Sequence, residues 1–192
     1  MSFPPTPLPN ARVYLRRLQP HDAPTFAAYR ADPAVARYQS WDTYTLAQAT
    51  EFVATYGPAD IPGPPGTWRQ LAIALCVTDG LIGDCALHLI ADEPRIAEIG
   101  ITLSPAYQGQ GYAREALRSL LGYCFTELQL HRVYAITDAL NLPAARLLES
   151  AGMRREGHFR QHVWFKGGWG DEFLYAVLRE EWQQVQGSGK LV

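Results

Sequence analysis

The chain is poor in several things at once. Only three of its 192 residues are cysteines, Cys76, Cys85 and Cys124, far apart and each inside an apolar stretch. An odd count without ligand spacing argues against a disulfide framework and against a zinc site, so no metal is expected. Free cysteines in apolar surroundings are expected as buried packing thiols. Charge of one sign is also missing, since 17 Lys and Arg against 19 Asp and Glu leave a formal net charge of −2. The basic residues are scattered and form no stripe, so nucleic acid and membrane surfaces are not expected partners. The slight acidic balance favours a cationic substrate. No apolar run approaches the roughly 20 residues of a membrane span. The N-terminus lacks the basic patch and apolar run of a secretory signal, and a soluble cytoplasmic protein is expected.

Repeats and low-complexity tracts are absent too. A hydrophobic content of 47% over 192 residues suits one packed domain spanning residues 1–192. Four prolines among residues 1–10 predict an extended leader, and residues 187–192 a flexible tail. Between them, Val13 to Leu18 reads as a strand and Asp22 to Ala31 as a helix stopped near Pro33. Thr45 with Gln48 forms a capping-box signature for a helix from Leu46 to about Tyr56. Residues 57–66, with three glycines and four prolines, read as a loop. Strands over Trp68–Val77 and Leu81–Ile90 flank the hairpin signal Thr78-Asp79-Gly80. A further strand runs from Ile96 to Leu103.

Ala113, Ala116, Leu117, Leu120, Leu121, Cys124 and Phe125 then recur on one helical face. A strand over Arg132–Thr137 follows, then a helix bearing Ala144, Leu147, Leu148 and Ala151, with Gly152 placed for a left-handed cap. Met153 to Leu178 reads as two strands around Gly167-Gly168, and Glu180 to Gln186 as a short helix or tail. The order predicts an α+β fold: a mixed, mostly antiparallel twisted sheet of about seven strands, flanked by helices, with one locally parallel crossover.

The chemistry concentrates in Gln108-Gly109-Gln110-Gly111-Tyr112-Ala113-Arg114, which joins a strand to the clearest helix. Glycines there allow a tight turn that exposes successive backbone N–H groups, and the helix N-terminus adds unsatisfied donors and the positive end of its dipole. Together they make an anion site suited to a pyrophosphate. No Lys-Ser/Thr pair follows, so this is not a P-loop, and the glycine spacing misses the dinucleotide pattern.

Gln108-x-x-Gly111-x-Ala113, with Tyr107 before the glutamine and Pro105 two before that, resembles the acyl-CoA-binding motif of the GNAT N-acetyltransferases. Leu130-His131-Arg132-Val133, Asn141, Leu147 through Met153, Arg155-Glu156-Gly157, Trp169-Gly170-Asp171 and Glu181-Trp182 resemble the RimJ/RimL branch of that superfamily. The likeness covers about Val13 to Trp182. It implies a sheet whose central strands splay to admit acetyl-CoA. The pantetheine arm would pair with Ile101, Thr102 and Leu103, as an added strand would. Backbone groups across Gly109, Gln110, Gly111, Tyr112, Ala113 and Arg114 would cradle the pyrophosphate, preceded by Gln108, and Asn141 would meet the arm. A homodimer through the aromatic C-terminal strands is implied as well.

Direct attack on the thioester requires a neutral amine, although lysine-type amines have pKa values of about 10.4 and α-amines about 8. Glu98 is the expected base; its competing role is as partner to Arg95 or Arg132. Asp138, Glu172 and His88 are weaker candidates. A backbone N–H on the 101–103 strand would serve as oxyanion donor. The family's usual proton donors are replaced by Ala144 and Leu148, so water, another tyrosine or no acid at all must serve the thiolate. Tyr38 and Trp41 are expected on one acceptor wall and Trp164 on the other, with Phe159, His162, Phe165 and Trp169 as further candidates. The expected activity is acetyl transfer from acetyl-CoA to a primary amine, on a protein N-terminus or a small molecule. The alternatives are an acyl-CoA-binding sensor without turnover, or transfer of another acyl group such as succinyl.

Overall fold

Alternation of apolar side chains across each extended segment builds one sheet of seven strands. The computed structural model describes residues 11–187, so the leader expected over 1–10 and all but Gly187 of the tail expected over 187–192 lie outside it; Gly187 ends a helix instead. The strands are β1 (Val13–Arg17), β2 (Trp68–Leu75), β3 (Leu81–Leu89), β4 (Ile96–Leu103), β5 (Arg132–Asp138), β6 (Arg154–Phe165) and β7 (Gly168–Leu178). Their spatial order is β1-β2-β3-β4-β5-β7-β6. Every neighbouring pair is antiparallel except β4–β5, which is parallel. The mostly antiparallel α+β expectation is met.

Helices cover both faces: α1 (Ala23–Arg30), α2 (Pro33–Ala36), α3 (Leu46–Tyr56), α4 (Tyr112–Gly122), α5 (Leu142–Ser150) and α6 (Arg179–Gly187). On one face Leu117, Leu120 and Leu121 of α4 and Leu148 of α5 pack on Ile73, Leu87, Ile99, Val133 and Tyr175. On the other, Phe26 of α1 and Val53 of α3 pack with Ala72 and Leu81. The second cluster is smaller, which leaves room on that face for a cavity.

Local chemistry sets the helix ends. The capping box at Thr45 is formed, with the Gln48 N–H donating to Thr45 Oγ1 and Gln48 Oε1 accepting from the Thr45 N–H. Gly152 closes α5 at φ +88°. The periodic run ending at Phe125 continues past α4 through a π-helical turn over Tyr123–Glu127.

Three expectations need correction. Pro33 does not simply end a helix; α1 stops at Arg30, and Pro33 opens α2, whose cap Asp32 accepts from the Ala34 N–H at 2.8 Å. Proline suits that first position because its missing N–H has no helical partner to lose. The second strand ends at Leu75 rather than Val77, because the Asp79 N–H closes a turn onto Leu75 O at 2.9 Å. Cys76 is consequently exposed in that turn, whereas Cys85 and Cys124 are buried as expected.

Candidate active site

The parallel pair holds only briefly. Ile96, Ala97 and Glu98 face Arg132, Val133 and Tyr134, and beyond that register β4 and β5 diverge. The Ser104 N–H donates to Ile82 O, and Ile96 O accepts from the Ile90 N–H. Even-numbered residues of β4 thus direct their backbone groups to β3. The alternation leaves those of Ile101 and Leu103 facing the gap. Leu103 O is taken by the Gln108 side-chain amide at 2.9 Å, which ties the following turn to the end of β4.

In that turn Gly109 has φ +71° and Gly111 φ +86°, left-handed positions that glycine occupies without a Cβ penalty. Gly111 is the N-cap of α4, and the first intrahelical bond runs from the Glu115 N–H to Gly111 O. The N–H groups of Tyr112, Ala113 and Arg114 therefore precede the helical ladder and form the open donor end. Arg12 braces the turn from β1's end. Its Nη2 donates to Gln110 O at 2.9 Å, it pairs with Glu115, and its guanidinium lies 4.3 Å over the Tyr112 ring.

A cavity of about 560 Å³ opens along this turn, lined by Ile101, Thr102, Leu103, Gln108, Gly109, Gly111, Ala113, Arg114 and Asn141. These are nine of the eleven cofactor positions expected from sequence. The other two, Gln110 and Tyr112, turn their side chains away, Gln110 to Ala106 O and Tyr112 to Arg12 and Tyr107. Sequence reasoning missed Pro143, Arg146, Leu147 and Ser150 of α5 as lining. Their spacing of three and four was visible, but nothing in it said which flank of α5 meets the turn. Asn141 has a structural duty as well, since its Oδ1 caps α5 by accepting from the Ala144 N–H at 3.3 Å.

A second cavity of about 440 Å³ shares Tyr38, Gln39, Ile101, Thr102, Asn141 and Ala144 with the first, so the two meet at the splay. Glu98 lines it, on the sheet face opposite α4. Its Oε2 accepts from the Tyr134 hydroxyl at 3.2 Å. Neither arginine proposed as its partner takes it, because Arg95 pairs with Glu93 and Arg132 with Glu156. Burial pushes the Glu98 carboxyl above the usual range, Glu172 adds to that, and the Tyr134 bond and His88 pull the other way. Burial also pushes the Tyr134 hydroxyl up to about 12, so it stays a donor. The weaker candidates have other work: Asp138 caps a turn at the Leu140 N–H, and Glu172 holds His162 at 2.8 Å. Ala144 and Leu148 both line this cavity, so apolar groups occupy the two positions where a donor was sought.

The walls of this second cavity are built by side chains from distant segments. Arg30, only 5% exposed, lines the cavity with its guanidinium 4.1 Å from the Phe26 ring and 4.4 Å from the Trp41 ring. It pairs with the fully buried Asp84 at 3.0 Å, and Tyr29 and Gln70 donate to the same carboxylate. Trp41 Nε1 donates to Arg30 O at 2.9 Å. At the tip of the β6–β7 turn, Lys166 donates to Ala36 O and Trp41 O, both at 2.8 Å, and pairs with Asp42. Tyr38 and Trp41, two of the residues sequence reasoning put forward, line the cavity. Trp164 does not: it is 61% exposed and packs edge-on against Trp169 outside, while Val163 and Phe165 point inward. Strand alternation at that register puts neighbours on opposite faces. Among the described residues no cluster of His, Cys, Asp or Glu could hold a metal ion, and no helix is long and apolar enough to cross a membrane.

A parallel pair that splays above a glycine turn at a helix N-terminus defines the acyltransferase fold of GNAT type. Residues 12–154 match the family described as the acetyltransferase (GNAT) domain. Over 172 residues the chain is 31% identical to an N-acetyltransferase designated p20 from Bacillus licheniformis, covering 89% of this chain and 95% of that one. A crystal structure of a GNAT-family acetyltransferase from Bacillus anthracis superposes with a TM-score of 0.77 at 29% identity, covering 88% of this chain and 96% of that one. The spermidine N-acetyltransferase of Vibrio cholerae, solved with CoA and spermine, shares the fold with a TM-score of 0.75 at 24% identity, covering 90% and 98%. The chain belongs to the GNAT family, and it is an acetyl-CoA-dependent N-acetyltransferase.

Proposed function

We propose that the chain transfers the acetyl group of acetyl-CoA to a primary amine by direct attack, with Glu98 as the base. The observation that carries this reading is an unpaired, half-buried carboxylate lining the acceptor cavity close to the splay. Burial raises its proton affinity above that of an exposed glutamate, which suits a group that must accept a proton. Ile101 to Leu103, Gln108 to Arg114 and Asn141 hold acetyl-CoA; the open edge of β4 pairs with the pantetheine amides, and the α4 N-terminus takes the pyrophosphate. The open N–H of Ile101 or Leu103 is suited to the developing oxyanion.

The acceptor is a cationic amine, on a protein N-terminus or a small molecule. Glu98, Asp138 and Glu172 line the cavity with Tyr38, Trp41 and Phe165, and carboxylates among aromatic rings favour ammonium groups. With Ala144 and Leu148 where donors were sought, thiolate departs unassisted or takes its proton from water, which a thiol pKa of about 8.5 permits. We place the chain in the RimJ/RimL branch, as a cytoplasmic protein of one domain that pairs through its aromatic C-terminal strands.

Calorimetric titration with acetyl-CoA, followed by thiol release across a panel of polyamines, aminoglycosides and peptide N-termini, tests the reading. Binding with release on one amine class is expected. Lack of binding at high micromolar acetyl-CoA would return the glycine turn to a purely structural role. Binding without release on any amine would favour a sensor.

A further inference from the structure

Glu98 belongs to a row that continues across the sheet. Register sets His88 of β3 opposite Glu98, and Trp68 of β2 opposite His88. The Trp68 and His88 rings stack, with centroids 4.8 Å apart and planes 18° from parallel. Trp68 lines the acceptor cavity and is 45% exposed, so the far end of the row reaches solvent. His88 Nδ1 is buried and has no hydrogen-bond partner. A buried nitrogen without a partner is unfavourable, and the Trp68 stack accounts for the ring but not for its open nitrogen.

A base in a cavity that its substrates fill must shed a proton before the next turnover. We propose that His88 is a positioning residue that relays this proton from Glu98 to solvent at the Trp68 edge. The inference rests on Glu98 being the base. An ammonium acceptor gives one proton to Glu98. Its nitrogen then attacks the thioester carbon, the C–S bond breaks, and the second nitrogen proton passes through water to the thiolate sulfur. Glu98 is left protonated. Its proton crosses one water to the open His88 nitrogen, and the opposite ring N–H releases to solvent. One proton appears per acetyl transferred and no redox partner is needed. Charged and titratable groups acting on Glu98 are Tyr134 of β5, Glu172 of β7 and His88 itself; on the β2 side the His88 ring stacks on the Trp68 indole.

The test compares His88→Gln and His88→Asn with the parent chain, using the amine that releases thiol fastest in the panel, over a pH series in dilute buffer. Expected is a fall in kcat of roughly tenfold, below the 10²–10⁴-fold of a group that transfers a proton in the transition state, because the relay acts after the chemical step. KM for acetyl-CoA should stay within about twofold, and added imidazole should restore kcat by carrying the stranded proton. Parent-like kcat in both variants, with no response to imidazole, overturns the relay. A measurement on the unaltered chain guards against misfolded variants. The NMR titration of the His88 ring should carry a second inflection that Glu98→Gln abolishes, and identical curves overturn the coupling. The two readings fail separately. Loss of turnover in Glu98→Gln with parent-like His88 variants removes the relay alone; full turnover in Glu98→Gln, or no thiol release with any amine, removes the base and the relay together.

Discussion

The two cavities that meet at Thr102 and Asn141 are made by opposite means. The cofactor side is built from backbone: an open strand edge, two left-handed glycines and the first turn of α4, all within residues 101–114. The acceptor side is built from side chains that arrive from α1, the segment after α2, β4 and β7, spread from Arg30 to Glu172. Backbone geometry tolerates most side-chain changes and responds to conformational ones. Side-chain geometry does the reverse. One half is therefore suited to a constant ligand and the other to a specific one.

That contrast can be broken by experiment, and the largest effect belongs to the acceptor side. Glu98→Gln keeps the shape and removes the proposed base, so kcat should fall by about 10²–10⁴-fold. Calorimetric affinity for acetyl-CoA should stay unchanged; a matching loss of affinity would show that the two halves are not separable. Arg30→Met strands the fully buried Asp84 without its cation, with an expected cost of about 3–5 kcal/mol in a urea titration. Gly111→Ala tests the backbone half. A left-handed alanine carries about 1–2 kcal/mol of strain, and its Cβ would lie 3.2 Å from Arg12 Nη2. Roughly tenfold weaker acetyl-CoA binding with a smaller change in kcat is expected.

Tyr134→Phe sharpens the pH behaviour. If Glu98 is the base its working form is the carboxylate, and kcat should rise with pH through a value above the ordinary glutamate range. The Tyr134 hydrogen bond stabilises that carboxylate, and its loss should move the acid limb to still higher pH, with little change on the alkaline side. Trp164→Ala should be the mildest, within about twofold in kcat/KM, because an exposed residue outside the cavity contributes little. A larger effect would put the outer face of β6 into acceptor recognition.

The same contrast explains what could be read before any coordinates. Gln108 to Ala113 is contiguous, so the glycine turn, its strand and its helix were visible as a unit, and α3's cap at Thr45 was readable from two residues. Glu98 could be placed on the right strand, but its freedom from Arg95 and Arg132 depends on where Glu93 and Glu156 lie. The role of Arg30 had little local signal: Phe26 lies one turn before it on α1, but Trp41, Tyr44, Phe52 and Asp84 reach it only through folding. Trp164 failed for a subtler reason. Bulges between Arg155 and Gly157 and between Phe159 and Val163 reset the alternation of β6, so counting along the strand does not say which aromatic faces inward.

The Lys166 clasp also has a consequence in time. Synthesis runs from the N-terminus, and Lys166 lies 130 positions after Ala36 and 125 after Trp41, the carbonyls it fastens. The glycine turn and α4 are complete in the growing chain well before Lys166 exists. A polypeptide interrupted between α5 and Lys166 holds the residues that line the first cavity and leaves the carbonyls of Ala36 and Trp41 unfastened. The wall proposed to meet the acceptor is thus fastened later in synthesis than the turn proposed to hold acetyl-CoA.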